Sequence, residues 1–126
     1  MIDFHNHILP SVDDGSKSID MSLSMLQHAQ NQGITDVVNT VHLQHPKMDG
    51  KDVSFNTINK EIDTLKNILN KNNIDINIHI GSEVFFLPNL VELIDNPLAT
   101  IGNGKYMLIE FHPYNIPIIH KQVFFD

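Results

Sequence analysis

A parallel α/β fold is predicted by two features of this 126-residue sequence. Short apolar runs alternate with segments of helical periodicity through short joints, an order that favours parallel strands linked by right-handed crossovers. Each strand-like run also ends in a side chain able to ligate a metal: His5 and His7, then His42, Glu83 and Glu110. Parallel strands share one C-terminal end, where α/β active sites are built. The four strand ends therefore describe one constellation.

Residues 2–7 read as the first strand. His5 and His7, two positions apart, share a face at about 6.6 Å along the chain and can converge on one ion. Asp3 has the same parity and is expected to orient one of the rings, whereas Ile2 and Phe4, of opposite parity, are expected to pack under helices. A turn-rich loop follows, Leu9-Pro10-Ser11-Val12-Asp13-Asp14-Gly15. Ile19, Leu23, Leu26 and Gln30 recur at steps of 4, 3 and 4, with Ser18 as N-cap and Gly33 as the stop. Ile34 to Val41 is a β-branched, apolar strand that delivers His42.

Residues 43–52 are polar, with Pro46 and Gly50, and read as a loop. Ile58, Ile62, Leu65 and Leu69 mark a second helix, which Asn72-Asn73 breaks. Ile74, Ile76, Ile78 and Ile80 alternate with Asp75, Asn77 and His79, a period of two leading to Gly81-Ser82-Glu83. A short helix around Leu90 to Ile94 precedes Pro97, and Gly102-Asn103-Gly104 makes a turn. Tyr106 to Glu110 is the fourth strand, and a further helix begins over Ile118 to Phe125. Residues 1–126 are expected to form one domain.

Composition narrows the function. Eight lysines, no arginine and fifteen acids give a net charge of −7, which disfavours nucleic-acid and anionic-membrane partners. The absence of cysteine excludes a disulfide framework, a thiolate zinc site and a thiol nucleophile. No apolar stretch approaches the roughly 20 residues of a membrane span, and the N-terminus reads as a strand rather than a signal peptide. A cytoplasmic location is the expectation.

The candidate ligands are all imidazole or carboxylate donors, a set that suits manganese, iron or zinc. Asp14, in the loop seven residues beyond His7, joins them. Glu83 can bridge two cations, and Glu110, directly after Met107-Leu108-Ile109, is hard to bury without a cation or hydrogen bonds. The remaining histidines, His28, His45, His79, His112 and His120, read as structural or exposed, with His45 and His112 the foremost exceptions.

Met1-Ile2-Asp3-Phe4-His5-Asn6-His7-Ile8-Leu9-Pro10, followed by Val12-Asp13-Asp14-Gly15, resembles the N-terminus of bacterial protein-tyrosine phosphatases of the polymerase-and-histidinol-phosphatase (PHP) superfamily from capsule and exopolysaccharide loci. Gly33-Ile34-Thr35, Thr40-Val41-His42, Gly81-Ser82-Glu83-Val84 and Leu108-Ile109-Glu110-Phe111 continue the match in order and spacing. The resemblance implies the N-terminal half of a distorted (β/α)7 barrel, with up to three divalent metals, often manganese. His5, His7 and Glu83 would hold one metal, Glu83 and Glu110 would share the second, and Asp14 and His42 would hold the third. The implied reaction is phosphotyrosine hydrolysis by a metal-bound hydroxide held by His5, His7, Glu83 and Glu110, and the implied substrate is the tail of a polysaccharide-synthesis tyrosine autokinase.

Val41 replaces the family's usual proline before this histidine, and Phe85 replaces an arginine two residues after the bridging glutamate. The resemblance places the family's remaining ligands, a histidine and an Asp-x-His pair, in a second half. This chain alone is therefore expected to be weakly active or inactive, with self-association through an open barrel edge. The alternatives are another PHP phosphoesterase of histidinol-phosphate type and a non-catalytic metal-binding remnant.

Overall fold

Four parallel strands in the order β1-β2-β3-β4 form one sheet in the computed structural model, which describes residues 1–48 and 53–125. Gly50 of the expected loop and Asp126 lie outside the described residues. The strands are β1 (Ile2–Asn6), β2 (Asp36–Leu43), β3 (Asn77–Phe85) and β4 (Leu108–Glu110). The helices are α1 (Ile19–Asn31), α2 (Phe55–Lys71) and α3 (His120–Phe125). The crossover between β3 and β4 carries two short 3₁₀ segments, Leu90–Leu93 and Ile101–Asn103, where a single short helix was expected.

The helices form where the periodicity places them, and their ends follow local chemistry. Ser18 caps α1 by accepting a hydrogen bond from the Met21 amide, and Ser54 caps α2 through the Thr57 amide. Gly33, at φ 84°, and Asn73, at φ 55°, supply the left-handed turns that end the two helices. The α2 stripe Ile58, Ile62, Leu65 and Leu69 is at most 1% exposed and packs into the core with Val37, Val41, Ile78 and Val84. Burying each such side chain contributes about 1.5–3 kcal/mol before the entropy of ordering it is counted.

The strands are shifted from their expected bounds in one informative way. β2 and β3 run past Val41 and Gly81, so that His42 and Glu83 lie inside the ladder rather than just after it. Ile74 and Ile76 are buried but precede β3, because the Ile74 amide is still closing α2 on the Leu69 carbonyl.

The faces of β1 are the opposite of those expected. Ile2 and Phe4 are 51% and 56% exposed and lie away from the helices, beside Val38, His79 and Ile101. The cause is an irregularity in the β1–β2 register between Asp3 and Asn6. A bulge of this kind breaks the simple alternation, so residues on its two sides cannot be assigned faces by counting in twos. Asp3 is correspondingly turned from the rings: its carboxylate accepts from the His5 amide at 3.1 Å and the Asn6 side-chain amide at 2.8 Å.

Two buried side chains tie the end of β1 to β2. Asn39 Oδ1 accepts from both the Ile8 and Leu9 amides, at 3.0 and 3.1 Å, and Thr40 Oγ1 accepts from the Asn6 amide at 3.1 Å. The backbone leaving the sheet is thereby satisfied without a ladder partner. Ser22 of α1 donates to the Ile8 carbonyl and fastens the same segment from the helix side.

The two faces should differ sharply under mutation. Leu65→Ala is expected to lower unfolding free energy by about 2–5 kcal/mol. Ile2→Thr, on the exposed face, should change it by no more than about 0.5 kcal/mol. Denaturant titration of both variants checks this, and a loss at Ile2 as large as that at Leu65 would restore the original assignment of faces.

Candidate metal centre

The in-register pairing of β2 with β3 sets His42 opposite Glu83, and β4 brings Glu110 opposite Phe85, two residues further along β3. With the end of β1 alongside, the six candidate residues His5, His7, Asp14, His42, Glu83 and Glu110 gather at one end of the sheet. Among the described residues, ligand atoms within 4.8 Å of one another form three clusters, the last of which adds His45 to the six: His5, His7 and Glu83; His7, Asp14 and His42; and His42, His45 and Glu110.

The first cluster is a near-regular triangle. His5 Nε2 and His7 Nε2 are 3.3 Å apart, and they lie 2.9 and 3.1 Å from Glu83 Oε2. Three ligands on one ion at about 2.1 Å stand roughly 3.0–3.4 Å apart in octahedral or tetrahedral geometry. The observed triangle fits a shared cation. His7 is also in the correct tautomer, because Nδ1–H donates to Asp13 Oδ2 at 2.8 Å and leaves the Nε2 lone pair facing the other two ligands.

A second indication is a pair of buried atoms without hydrogen-bond partners. His42 Nδ1 and Glu110 Oε2 are both enclosed and unsatisfied, yet only 3.3 Å apart. Buried polar atoms are normally paired, and a cation between them would satisfy both. On its other side His42 Nε2 meets Asp14 Oδ1 at 3.1 Å.

Asp13 is the site residue that sequence reasoning passed over, and it takes the role expected of Asp3. Besides holding His7, it accepts from the Gly15 amide at 3.0 Å and the His42 amide at 3.4 Å. Its bond to Gly15 two residues on is an Asx turn, which the Asp-Asp-Gly string signals. Burial opposes the charge on His7, but the hydrogen bond and charge of Asp13, with Glu83 and Asp14 behind it, raise its pKa overall. Burial likewise opposes ionisation of Asp13, yet His7 and the two backbone amides hold its pKa below the usual range.

Gly15 is dictated by space. A Cβ there would lie 2.2 Å from the His7 carbonyl oxygen and 2.4 Å from the His7 Cβ. The loop closes this tightly because the Ser16 amide donates to that same carbonyl at 3.0 Å.

Beside the candidate ligand cluster lies a cleft of about 510 Å³. Asp14, His42, His45 and Glu110 line it together with Pro46, Lys47, Met48, Phe85, His112, Pro113 and Tyr114. Of the histidines set aside, His45 and His112 thus reach the site, while His79 pairs with Asp36 at 2.9 Å at the other end of the sheet.

Two outcomes are expected of this loop. In metal-free protein the His7–Asp13 pair should contribute of order 1 kcal/mol. The raised His7 contribution is complete below pH 6.5 and is lost as pH rises through its folded pKa; the depressed Asp13 contribution is complete above 3.8 and is lost as pH falls through its folded pKa. Asp13→Asn should therefore lower the melting temperature most between those values, and an offset independent of pH would refute the charged pair. Gly15→Ala should weaken divalent-ion binding at least tenfold by displacing His7, as read by calorimetry, and unaltered affinity would mean that the loop gives way.

A family model described as capsular polysaccharide synthesis, CpsB/CapC, matches residues 1–123. The CapC protein of Staphylococcus aureus is 33% identical over 100% of this chain, which covers 49% of that relative. Tyrosine-protein phosphatase YwqE of Bacillus subtilis is 30% identical over the same span, again with 49% of the relative covered. A solved structure described as that of YwqE from Bacillus subtilis and CpsB from Streptococcus pneumoniae, unique metal-dependent tyrosine phosphatases, superposes with a TM-score of 0.88 at 30% identity. It matches 98% of this chain and 49% of its own, so the chain spans about half the length of the relatives it matches. The fold is accordingly the half-barrel of parallel β/α units seen in that structure, and the chain belongs to the CpsB/CapC family of capsular polysaccharide synthesis proteins.

Proposed function

We propose that this chain carries the divalent-metal centre of a protein-tyrosine phosphatase. The observation that carries the reading is the His5–His7–Glu83 triangle, whose edges of 2.9, 3.1 and 3.3 Å match ligands around one ion. YwqE of Bacillus subtilis and CpsB of Streptococcus pneumoniae, both named tyrosine-protein phosphatases, supply the reaction class.

When bound, divalent ions, with manganese favoured over iron or zinc, supply positive charge to the phosphoryl oxygens and activate water for attack on phosphorus. In this reading His5, His7 and Glu83 would hold the first ion, Glu83 and Glu110 would share the second, and Asp14 and His42 would hold the third. Asp13 holds the ring proton of neutral His7 on Nδ1, which leaves Nε2 aimed at the ion. The end of β3 positions Glu83 between clusters, with its side chain only 11% exposed, so a bridging role leaves no buried uncompensated charge.

The cleft supports phosphotyrosine over the shorter phosphoserine. Phe85, Pro46, Met48, Pro113 and Tyr114 offer apolar and aromatic surface beside Asp14, His42 and Glu110, so a phenyl ring can lie against the wall while its phosphate reaches the cation cluster. Phe85 supplies ring contact where the resemblance expects arginine. The proposed physiological substrate is the tyrosine-rich tail of a polysaccharide-synthesis autokinase in the cytoplasm. Among the described residues no helix is long and apolar enough to cross a membrane.

Purified chain should bind at least one manganese ion in calorimetry, and whatever phosphate it releases from a phosphotyrosine peptide should be slight and abolished by chelator. Glu83→Gln should reduce ion affinity by at least about tenfold to a hundredfold, whereas His79→Gln should leave it intact. Absence of ion binding in the wild type, or turnover insensitive to chelator, would overturn this function.

A further inference from the structure

We infer that His45 is a positioning residue that orients Glu110 by turning its Nε2 proton toward the carboxylate, and that it is not itself a metal ligand. The inference rests on the metal reading above and concerns how one carboxylate is divided within it. His45 clusters with His42 and Glu110 closely enough to pass for a third ligand. Its hydrogen bonding argues otherwise.

The Lys47 backbone amide donates to His45 Nδ1 at 3.1 Å. A backbone N–H can only donate, so Nδ1 carries the lone pair and the ring proton sits on Nε2. Nε2 is the nitrogen that faces the site, 3.5 Å from Glu110 Oε1. A protonated Nε2 cannot ligate a cation, but it can draw in a carboxylate oxygen. The other oxygen, Oε2, is buried, unpaired and 3.3 Å from the equally unpaired His42 Nδ1. The carboxylate thus splits its work, Oε1 toward the His45 proton and Oε2 toward a cation shared with His42.

The local backbone is built to aim this ring. Gln44, just past the end of β2, has φ 52°, a left-handed conformation that costs free energy for a residue with a side chain. Its amide side chain holds that conformation, donating to the Phe85 carbonyl at 2.8 Å and to Asn89 Oδ1 at 3.2 Å. Asn89 Nδ2 donates back to Gln44 Oε1 at 3.1 Å. The left-handed step turns the chain out of the sheet and sends His45 back over its end. There the ring is wedged between His42 and Phe85, at centroid distances of 4.8 and 5.1 Å, with only 13% of the side chain exposed. A ring so confined cannot flip without losing the Lys47 bond.

Two substitutions separate the roles, because the ends of the ring can be mimicked individually. His45→Asn keeps an acceptor near the Nδ1 position for Lys47 and removes the distal donor. His45→Gln keeps a donor near the Nε2 position. Manganese affinity of the chain, measured by calorimetry, should fall about tenfold to a hundredfold in His45→Asn and recover to near wild type in His45→Gln. Long-range proton–nitrogen NMR of the wild type should show His45 protonated on Nε2 in the metal-free and zinc-loaded chain alike. Unchanged affinity in His45→Asn would overturn the positioning role, as would equal loss in both variants together with deprotonation of Nε2 on zinc loading, which would make His45 a ligand. If the wild-type chain bound no ion, the metal reading itself would fail, an outcome distinct from either. The NMR tautomer needs no variant to fold, and finding the proton on Nδ1 would overturn the proposal by itself.

Discussion

The site depends on the in-register parallel pairing of β2 and β3, which sets His42 directly across from Glu83. Parallel ladders bring every strand's C-terminal end to the same level, so one short side chain from each can converge without long reaches. A slip of one residue in this pairing would turn the ligand positions to the helix side and expose the buried apolar set. Register is strongly specified here because Val37, Val41, Ile78 and Val84 are all at most 3% exposed on the helix face. The apolar core thereby sets the geometry of the polar centre, although the two share no side chains.

What converts aligned strand ends into a candidate metal centre is the loop after β1. Asn39 and Thr40 of β2 anchor its first residues, Ser22 of α1 holds the Ile8 carbonyl, and Gly15 permits its closure on His7. Asp13 then braces His7 and touches the His42 amide, so one carboxylate links the ligands of β1 and β2. Side chains that never face the cation decide whether those that do are aimed correctly. The Gln44–Asn89 clamp beside β3 follows the same logic at the other side of the cleft.

Charge makes this cluster a candidate cation site. Asp13, Asp14, Glu83 and Glu110 crowd against four histidines, and Glu110 Oε2 and His42 Nδ1 remain unpaired. Without cations, protonated histidine is the available counter-charge, which accounts for the raised pKa of His7. Cations and protons therefore compete for the same nitrogen atoms, and ligand affinity is coupled to pH by construction.

Much of the architecture was legible in the residues. Spacing alone located the α2 stripe from Ile58 to Leu69, Ser18 and Gly33 bounded α1, and the parallel direction of the strands followed from the alternation of periods. The six candidate ligand positions were likewise visible, because a carboxylate or imidazole at the end of an apolar run stands out against its neighbours. The exchange of faces on β1, the bracing of His7 by Asp13 rather than Asp3, and the approach of His45 to Glu110 were not. Periodicity reports a local, repeating backbone, and a bulge or a left-handed residue such as Gln44 breaks the repeat without a strong compositional mark. The sequence by itself determined the fold class, the helix faces and the donor chemistry. Only the tertiary structure decided which polar atom meets which, since partners such as His45 and Glu110 lie tens of residues apart, and even the nearby His7 and Asp13 meet through bends that no local pattern encodes.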